Sequence, residues 1–219
     1  MAHPRKELVV YIHRTRLAPA LGKLPEVRRL LADHVRHLQG QGQRLALGEQ
    51  IFSSERPMLL VTQVANELDE LEQARRGRLT DADFQARAGQ IVSLCAEPPR
   101  SSLWESIVDM PPNPPPTTIG QLVFFYPAPG KITQLEQVLG ENARELQKMG
   151  QRTSLWRRIY SSDGPMIQAL SRYADLADLD RVRKASASFL EQRALSVAEL
   201  SRAPASRRLS ETVVPFPAT

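Results

Sequence analysis

The sequence predicts an α+β protein that consists of two fused copies of one βαββαβ domain. The first observation is an internal repeat: Ile51–Met58, Ile-Phe-Ser-Ser-Glu-Arg-Pro-Met, returns 108 positions later as Ile-Tyr-Ser-Ser-Asp-Gly-Pro-Met at Ile159–Met166. The same offset aligns Gly22-Lys23 with Gly130-Lys131. A repeat of this length has the size of a small domain and is too long for a solenoid unit. The second observation is that strand and helix patterns follow in the same order in both copies.

The elements of the first copy are predicted from short-range patterns. Residues 8–14 are β-branched and aromatic, which is typical of a strand. In the helix that follows, apolar residues recur every three or four positions until Gly40 and Gly42 end it. Ser53–Pro57 is the turn of a β-hairpin, and Pro98-Pro99 ends the last helix. The predicted elements are strand 8–14, helix 23–39, strands 45–52 and 58–65, short helices 67–76 and 80–95, and strand 103–108.

A proline-rich segment separates the copies, because Met110–Thr118 holds five prolines in nine residues. This composition indicates a semi-rigid linker, and the alternative is a docking site for another protein. The predicted domains are therefore 1–110 and 119–219, joined by linker 111–118. Ser188 and Glu191 form a capping-box pattern in the second copy. Its predicted elements are strand 119–126, helix 131–149, strands 153–160 and 166–173, short helices 176–184 and 188–201, and strand 208–214.

The order strand, helix, strand, strand, helix, strand is that of the ferredoxin-like fold. Right-handed crossovers would place all helices of a copy on one face of a four-stranded antiparallel sheet. A chain of 219 residues with 42% hydrophobic residues can bury one or two ordinary cores. The single cysteine, Cys95, excludes a disulfide framework and a thiolate metal cluster.

Charge and hydropathy bear on location and partners. The net charge of +5 comes from bases interleaved with acids along both copies, so we expect no nucleic-acid partner. No apolar run approaches the ~18 residues of a membrane span. The polar start of the chain passes directly into a strand pattern, so we expect no secretory signal and a cytoplasmic protein.

Several motifs of the second copy resemble one known family. They are Pro129-Gly130-Lys131 before the first helix, Gly150, Leu155-Trp156 on the second strand, and the run Tyr173–Leu179, Tyr-Ala-Asp-Leu-Ala-Asp-Leu. With these motifs the sequence resembles the NIPSNAP-like branch of the dimeric α/β-barrel superfamily, here tandem duplicated. The resemblance implies two ferredoxin-like sheets packed as a barrel with helices outside, both supplied by one chain. One chain should therefore form the barrel alone, as a monomer or as a homodimer of barrels.

The resemblance implies two classes of function. The superfamily includes cofactor-free monooxygenases, haem-binding and haem-degrading proteins, lactone isomerases and proteins without an established activity. Ligands lie between sheet and helices or inside the barrel. No catalytic residue set is shared across it, and this chain departs from typical members because its second copy has no histidine. The first hypothesis is a small-molecule-binding or interaction protein without a cofactor; the alternative is a cofactor-free or haem-dependent monooxygenase for a small apolar substrate.

The candidate catalytic residue is His34, which occupies the centre of the apolar stripe between Leu30 and Leu38. Asn142 holds the matching place, 108 positions later. A polar side chain in an apolar stripe needs a partner, which predicts either a satisfied core residue or a ligand pocket between helix and sheet. His37 lies at the edge of the stripe. His34 and His37, even with His13 nearby, are too few ligands for a closed metal site, so we expect no metal.

Four charged strand residues alternate with apolar neighbours: Glu49, Glu105, Arg157 and Glu211. Two-residue periodicity places each charge on the same strand face as those neighbours. If these faces meet inside a barrel, the charges line a pocket that tunes a carboxyl, or they form an ion-pair network around Arg157 that fixes how the halves meet. We expect Glu105 and Arg157 to lie between the halves. No phosphate loop, nucleophile elbow or metalloprotease motif is present in the sequence.

Overall fold

Eight antiparallel strands close into one barrel, with the helices packed on its outer face. The computed structural model describes residues 9–52, 56–111, 117–160 and 164–217. Their elements, in chain order, are β1 (Tyr11–Leu17), α1 (Leu24–Gly40), β2 (Leu45–Ile51), β3 (Leu59–Ala65), α2 (Leu68–Thr80), α3 (Ala82–Ser93), β4 (Arg100–Val108), β5 (Ile119–Pro127), α4 (Ile132–Lys148), β6 (Thr153–Tyr160), β7 (Ile167–Tyr173), α5 (Leu176–Glu199) and β8 (Ser201–Val214).

The strand order around the barrel is β1-β3-β2-β8-β5-β7-β6-β4, and β4 pairs with β1 to close it. We call β1–β4 the N-terminal half and β5–β8 the C-terminal half. Each half has its first strand in the middle of its sheet, next to its third and fourth strands. Two seams, β2–β8 and β4–β6, join the halves on opposite sides of the barrel. The prediction that one chain closes the barrel is confirmed, and closure removes the strand edges that an open half would expose.

The long first helix of each half, α1 or α4, packs on the outer face of the sheet of that half. On the N-terminal half, Leu47 and Leu59 pack with Val27 and Val35 of α1, all with no solvent exposure. On the C-terminal half, Leu135 of α4 packs in the same way, in a cluster with residues of the strands beneath that helix. The apolar stripe on each long helix explains this packing, because a stripe at helical spacing buries one side against a sheet.

The inner face encloses a space that we call the lumen. The register of the strand pairs shows which side chains face the lumen, because residues opposite one another in antiparallel strands point to the same side. Ile12 of β1 pairs with Val64 and Trp104. Side chains in and around the lumen form a separate cluster with its own aromatic rings. The buried members of that cluster are Ile12, Trp104, Trp156 and Met166.

Three element predictions are corrected by the structure. The two short helices predicted at 176–184 and 188–201 are one helix, α5, because Ser186 satisfies its hydroxyl on the carbonyl of Val182 at 2.9 Å and no breaker intervenes. β8 begins at Ser201, not at 208, because Tyr126 and Pro127 of β5 pair with its polar start. β1 spans Tyr11–Leu17, displaced from 8–14, because its C-terminal part pairs with β3 and β4 on both sides.

Some predicted features fall outside the described residues. They are Leu8, the serines of both repeated turns (Ser53, Ser54, Ser161 and Ser162), and residues 112–116 of the linker. At the edge of the first turn, Phe52 has φ 51° and is exposed. A non-glycine residue in the left-handed region is uncommon outside tight turns, so the chain bends sharply there. Within the described residues, no helix is both long enough and apolar enough to cross a bilayer.

Candidate functional site

His34 lies on the buried side of α1, between helix and sheet, and is 8% exposed. Its ring packs against Phe84 of α3, with 4.8 Å between ring centroids and an interplanar angle of 53°. The Nδ1 atom of His34 is buried and has no hydrogen-bond partner among the described residues. A buried polar atom without a partner costs free energy, so this position favours a ligand or water that can bond to it.

A second histidine lies on the sheet beneath these helices. His13 of β1 pairs in register with Gln63 of β3, and both point to the outer face. Gln63 is 5% exposed, and its Oε1 has no partner among the described side chains and backbone. We call His13, His34, Gln63, Arg78 and Phe84 the histidine cluster. The guanidinium of Arg78 lies 5.9 Å from the Phe84 ring.

Both histidines are held neutral. Burial lowers the pKa of His13, and Arg78 lowers it further. Burial also lowers the pKa of His34, and the charges of Arg87, His37 and Arg78 act in the same direction, opposed by Asp81. An unprotonated imidazole can accept a hydrogen bond or a proton, which is the chemistry of a general base. The histidine cluster therefore offers two acceptor atoms, His34 Nδ1 and Gln63 Oε1, to a ligand that donates hydrogen bonds.

The remaining polar positions of the two stripes differ in their surroundings. Asn142 of α4 is 7% exposed, and its Oδ1 has no partner among the described residues. The helix–sheet layer thus holds an unpaired acceptor in each half. His37 is exposed at the stripe edge and lies 3.2 Å from Gln41 Nε2 through its own Nε2. No group of three or more His, Cys, Asp or Glu side chains in the described ranges could hold a metal ion.

Arg157 and Glu105 meet at the β4–β6 seam, where they pair in register and Arg157 Nη2 lies 2.6 Å from Glu105 Oε2. The prediction that this pair lies between the halves is confirmed. Glu136 of α4 completes a triad, 3.4 Å from Arg157 Nη1. Burial raises the pKa of Glu136, whereas Arg157 opposes that rise.

The β2–β8 seam carries a corresponding triad with its charges exchanged. Glu49 pairs in register with Glu211, and Arg28 of α1 approaches Glu49 Oε2 at 3.3 Å. Arg28 and Glu49 stand 108 positions before Glu136 and Arg157. The helix–strand ion pair is therefore kept at both seams, while the acid and the base change places.

These triads show where the four predicted charges lie. All four are on outer, helix-facing strand positions, two at each of the opposite seams. They therefore divide into two groups and do not form one cluster in the lumen. Arg28–Glu49 and Glu136–Arg157 are ion pairs that join helix to strand, and Glu105–Arg157 is an ion pair that joins the two halves.

Because the acid and the base are exchanged between the seams, we expect a second substitution to restore the stability that a first one removes. Arg28→Glu would place three acids at the β2–β8 seam and should lower the free energy of unfolding by about 1 kcal/mol, since these side chains are partly exposed. Adding Glu49→Arg reproduces the Glu136–Arg157 arrangement and should restore stability to within about 0.5 kcal/mol. Urea unfolding of both variants measures this. A double variant less stable than Arg28→Glu alone would contradict the equivalence of the seams.

A described cavity lies in the C-terminal half, at the open end of its helix–sheet layer. It has a volume of about 110 Å³ and is bordered by Arg152, Tyr173 and Asp178. Arg152 Nη2 lies 2.6 Å from Asp178 Oδ2, while Arg152 Nη1 is buried without a partner among the described residues. Burial raises the pKa of Tyr173. The run Tyr173–Leu179, which carries part of the family resemblance, provides two of these residues.

Sequence reasoning missed Gln63, Arg78 and Phe84. Phe84 belongs to α3, which packs against α1, and Arg78 belongs to α2, which packs against α3. No local sequence pattern indicates these contacts between helices. Gln63 stands on the helix-facing side of β3, and this polar exception to the outward apolar pattern of Leu59 and Val61 could have indicated it.

Comparisons with known proteins show the fold of this chain and no family. No family model and no curated protein match the sequence. A protein of Fusobacterium nucleatum described as a “putative monooxygenase” superposes with a TM-score of 0.71 at 9% identity, over 97% of this chain and 99% of its own. An anthrone oxidase-like protein gives 0.58 at 11% identity, over 95% and 92%. A haem-binding protein of Thermus thermophilus gives 0.50 at 12% identity, over 93% and 90%.

Proposed function

We propose that the protein binds a small, largely apolar ligand that carries a hydroxyl or another hydrogen-bond donor, in the helix–sheet layer beside His34. The observation that carries this proposal is the buried, unpaired Nδ1 of a histidine held neutral. Gln63 Oε1 is a second unpaired acceptor on the sheet below. The ring of Phe84 supplies an apolar wall. Ligand sites in proteins commonly combine apolar walls with a few convergent polar atoms.

We also infer a NIPSNAP-like, tandem-duplicated origin for the barrel. The motifs around Gly130 and Tyr173 support the family, and the seam triads support the duplication. Arg28–Glu49 and Glu136–Arg157 make one helix–strand contact at positions separated by the repeat length. Two halves of unrelated origin would not be expected to share this contact at matching positions.

His34→Asn tests the ligand proposal, because it places the residue of the C-terminal half in the N-terminal half. The free energy of unfolding should change by less than about 1 kcal/mol, since the fold accepts asparagine at position 142. Binding of a phenolic probe, measured by calorimetry, should weaken roughly tenfold, which corresponds to the loss of one hydrogen bond to a buried acceptor. Asn142→Ala is the matched control and should leave that binding unchanged. Full binding by His34→Asn would refute the assignment.

A cofactor-free monooxygenase is the second candidate function, favoured by the two neutral histidines and by the fold shared with the “putative monooxygenase” and the anthrone oxidase-like protein. In this hypothesis His34 removes a proton from an activated CH₂ group and the resulting anion reacts with O₂. The CH₂ becomes a carbonyl, one oxygen atom enters it, and the other leaves as water. Oxygen uptake with anthrone, absent in His34→Asn, would support catalysis; no uptake would leave the binding function.

Haem is the cofactor to be tested, because the haem-binding protein of Thermus thermophilus shares the fold. If haem binds, His34 would hold its iron, since burial lowers the pKa of the imidazole and its Nδ1 has no partner among the described residues. Arg78 and Arg87, whose charges act on His34, would pair with the haem carboxylates. Bound haem would supply the redox chemistry. Titration with haemin should give an absorbance shift that His34→Asn abolishes.

A further inference from the structure

We propose that the lumen of the barrel binds a small oxyanion group, a carboxylate or a phosphate, between Arg14 and Arg172. This site lies on the inner face of the strands, whereas the histidine cluster lies on the outer face. It shares no residue with that cluster, so either site can exist without the other.

Arg14 is a buried cation that has no carboxylate partner in the part of the chain that the structure describes. Its register partners are Thr62 on β3 and Ser102 on β4, and it is 6% exposed. Its Nη1 donates to Gln168 Oε1 across the lumen, and its guanidinium lies 5.8 Å from the Trp104 ring. No acid among the described residues forms an ion pair with it. A guanidinium removed from water is costly unless an anion compensates it.

Arg172 brings a second positive charge to the same space. It stands opposite Gly120 on the inner face of β7, and its guanidinium lies 5.7 Å from the Phe216 ring. Burial lowers the pKa of Arg14 to about 10, and repulsion from Arg172 and Arg16 adds to the effect. Burial also lowers the pKa of Arg172. A buried cation and a partly buried one that repel each other are stabilised by an anion bound between them.

Strand register shows that the lumen supplies no acid of its own in the described part of the chain. Every paired inward-facing strand position there is apolar, neutral polar or arginine. Arg14 and Arg172 therefore place two positive charges on the inner face without an acid on the same face of the described strands, which favours an anionic occupant.

Gln168 adds a donor aimed into the same space. It has no solvent exposure, and its amide oxygen must face Arg14 because a guanidinium only donates. That orientation leaves Nε2 buried and without a partner among the described residues. Trp104 and Phe124, with ring centroids 6.4 Å apart, provide aromatic surface beside these donors. The geometry thus suits an oxyanion attached to a small planar or apolar body.

Thermal unfolding of the full chain tests the site with phosphate and benzoate as probes, against chloride at equal ionic strength. We expect a saturable rise in Tm of roughly 3–5 °C at about tenfold excess over the dissociation constant. A response to benzoate alone indicates an organic carboxylate as the ligand, and a response to phosphate indicates a phosphate group. A wild-type protein that responds to neither overturns the proposal.

Two variants separate binding from structure. Gln168→Glu supplies Arg14 with a carboxylate inside the lumen, so it should raise Tm in anion-free buffer and abolish the anion response. Gln121→Glu, on the outer face of the neighbouring β5, is the control and should keep the response. If Gln168→Glu does not fold, Arg14→Met decides: loss of the response without loss of Tm supports the site. A lower Tm with the response retained would make Arg14 purely structural.

Discussion

Trp104→Ala should lower the free energy of unfolding by about 3–5 kcal/mol, the usual cost of deleting a large buried aromatic side chain. Trp104 is 3% exposed and fills the lumen between β1 and the C-terminal half. Its Nε1 donates to Ser102 Oγ at 2.8 Å, and its ring lies beside Arg14 and Arg158. Truncation removes this surface and leaves a cavity that closed strands cannot collapse to fill.

Urea unfolding followed by circular dichroism measures the loss, because the variant removes one of two tryptophans and so changes the fluorescence baseline. Leu195→Ala is the control: this leucine is 76% exposed on α5, and its truncation should change stability by less than about 0.5 kcal/mol. A Trp104→Ala protein within about 1 kcal/mol of wild type would show that the lumen is loosely packed.

Arg157→Ala should lower the free energy of unfolding by about 1–2 kcal/mol at neutral pH, because it leaves Glu105 and Glu136 at the seam without their cation. A fully buried ion pair would lose several kcal/mol. Here the Arg157 side chain is 40% exposed and those of Glu105 and Glu136 are 23% and 15% exposed, so water screens part of the interaction. Equilibrium unfolding in urea measures the difference.

The cost of Arg157→Ala should depend on pH. The pKa of Glu136 in the folded protein is raised above its ordinary value of 4.5 by burial, and removal of Arg157 raises it further. The folded state then holds a proton more tightly than the unfolded chain, so stability falls as the pH rises from the unfolded toward the folded pKa. The loss should be larger at about pH 8 than at about pH 5. The variant Arg157→Ala/Glu136→Gln removes the titrating group and should flatten this dependence.

Much of the architecture could be predicted from the sequence because its signals are local. The apolar stripe of α1 identified the buried side on which His34 lies, and the spacing of the repeat paired His34 with Asn142. β6 spans Thr153–Tyr160 as predicted, since half of its eight residues are β-branched or aromatic. Strand order within each half followed from right-handed crossovers.

The division of α5 and the length of β8 could not be predicted, because long-range contacts decide them. Ser201 to Arg208 shows no apolar alternation, and this stretch becomes strand only where β5 offers its backbone hydrogen bonds. The contacts around His34 depend in the same way on where α3 crosses α1. Phe84 is 50 positions away in the chain, and no local pattern connects them.

The sequence by itself determined the order of elements, the buried side of each long helix and the repeat that relates the halves. Only the tertiary structure decided which strand face lines the lumen. In a closed barrel wrapped by helices, both faces of a strand are covered, so two-residue alternation no longer separates core from solvent. Glu49 and Arg157 therefore lie on the outer face, where they pair with Arg28 of α1 and Glu105 of β4. Arg14 and Gln168 lie on the inner face and bond to each other across the lumen.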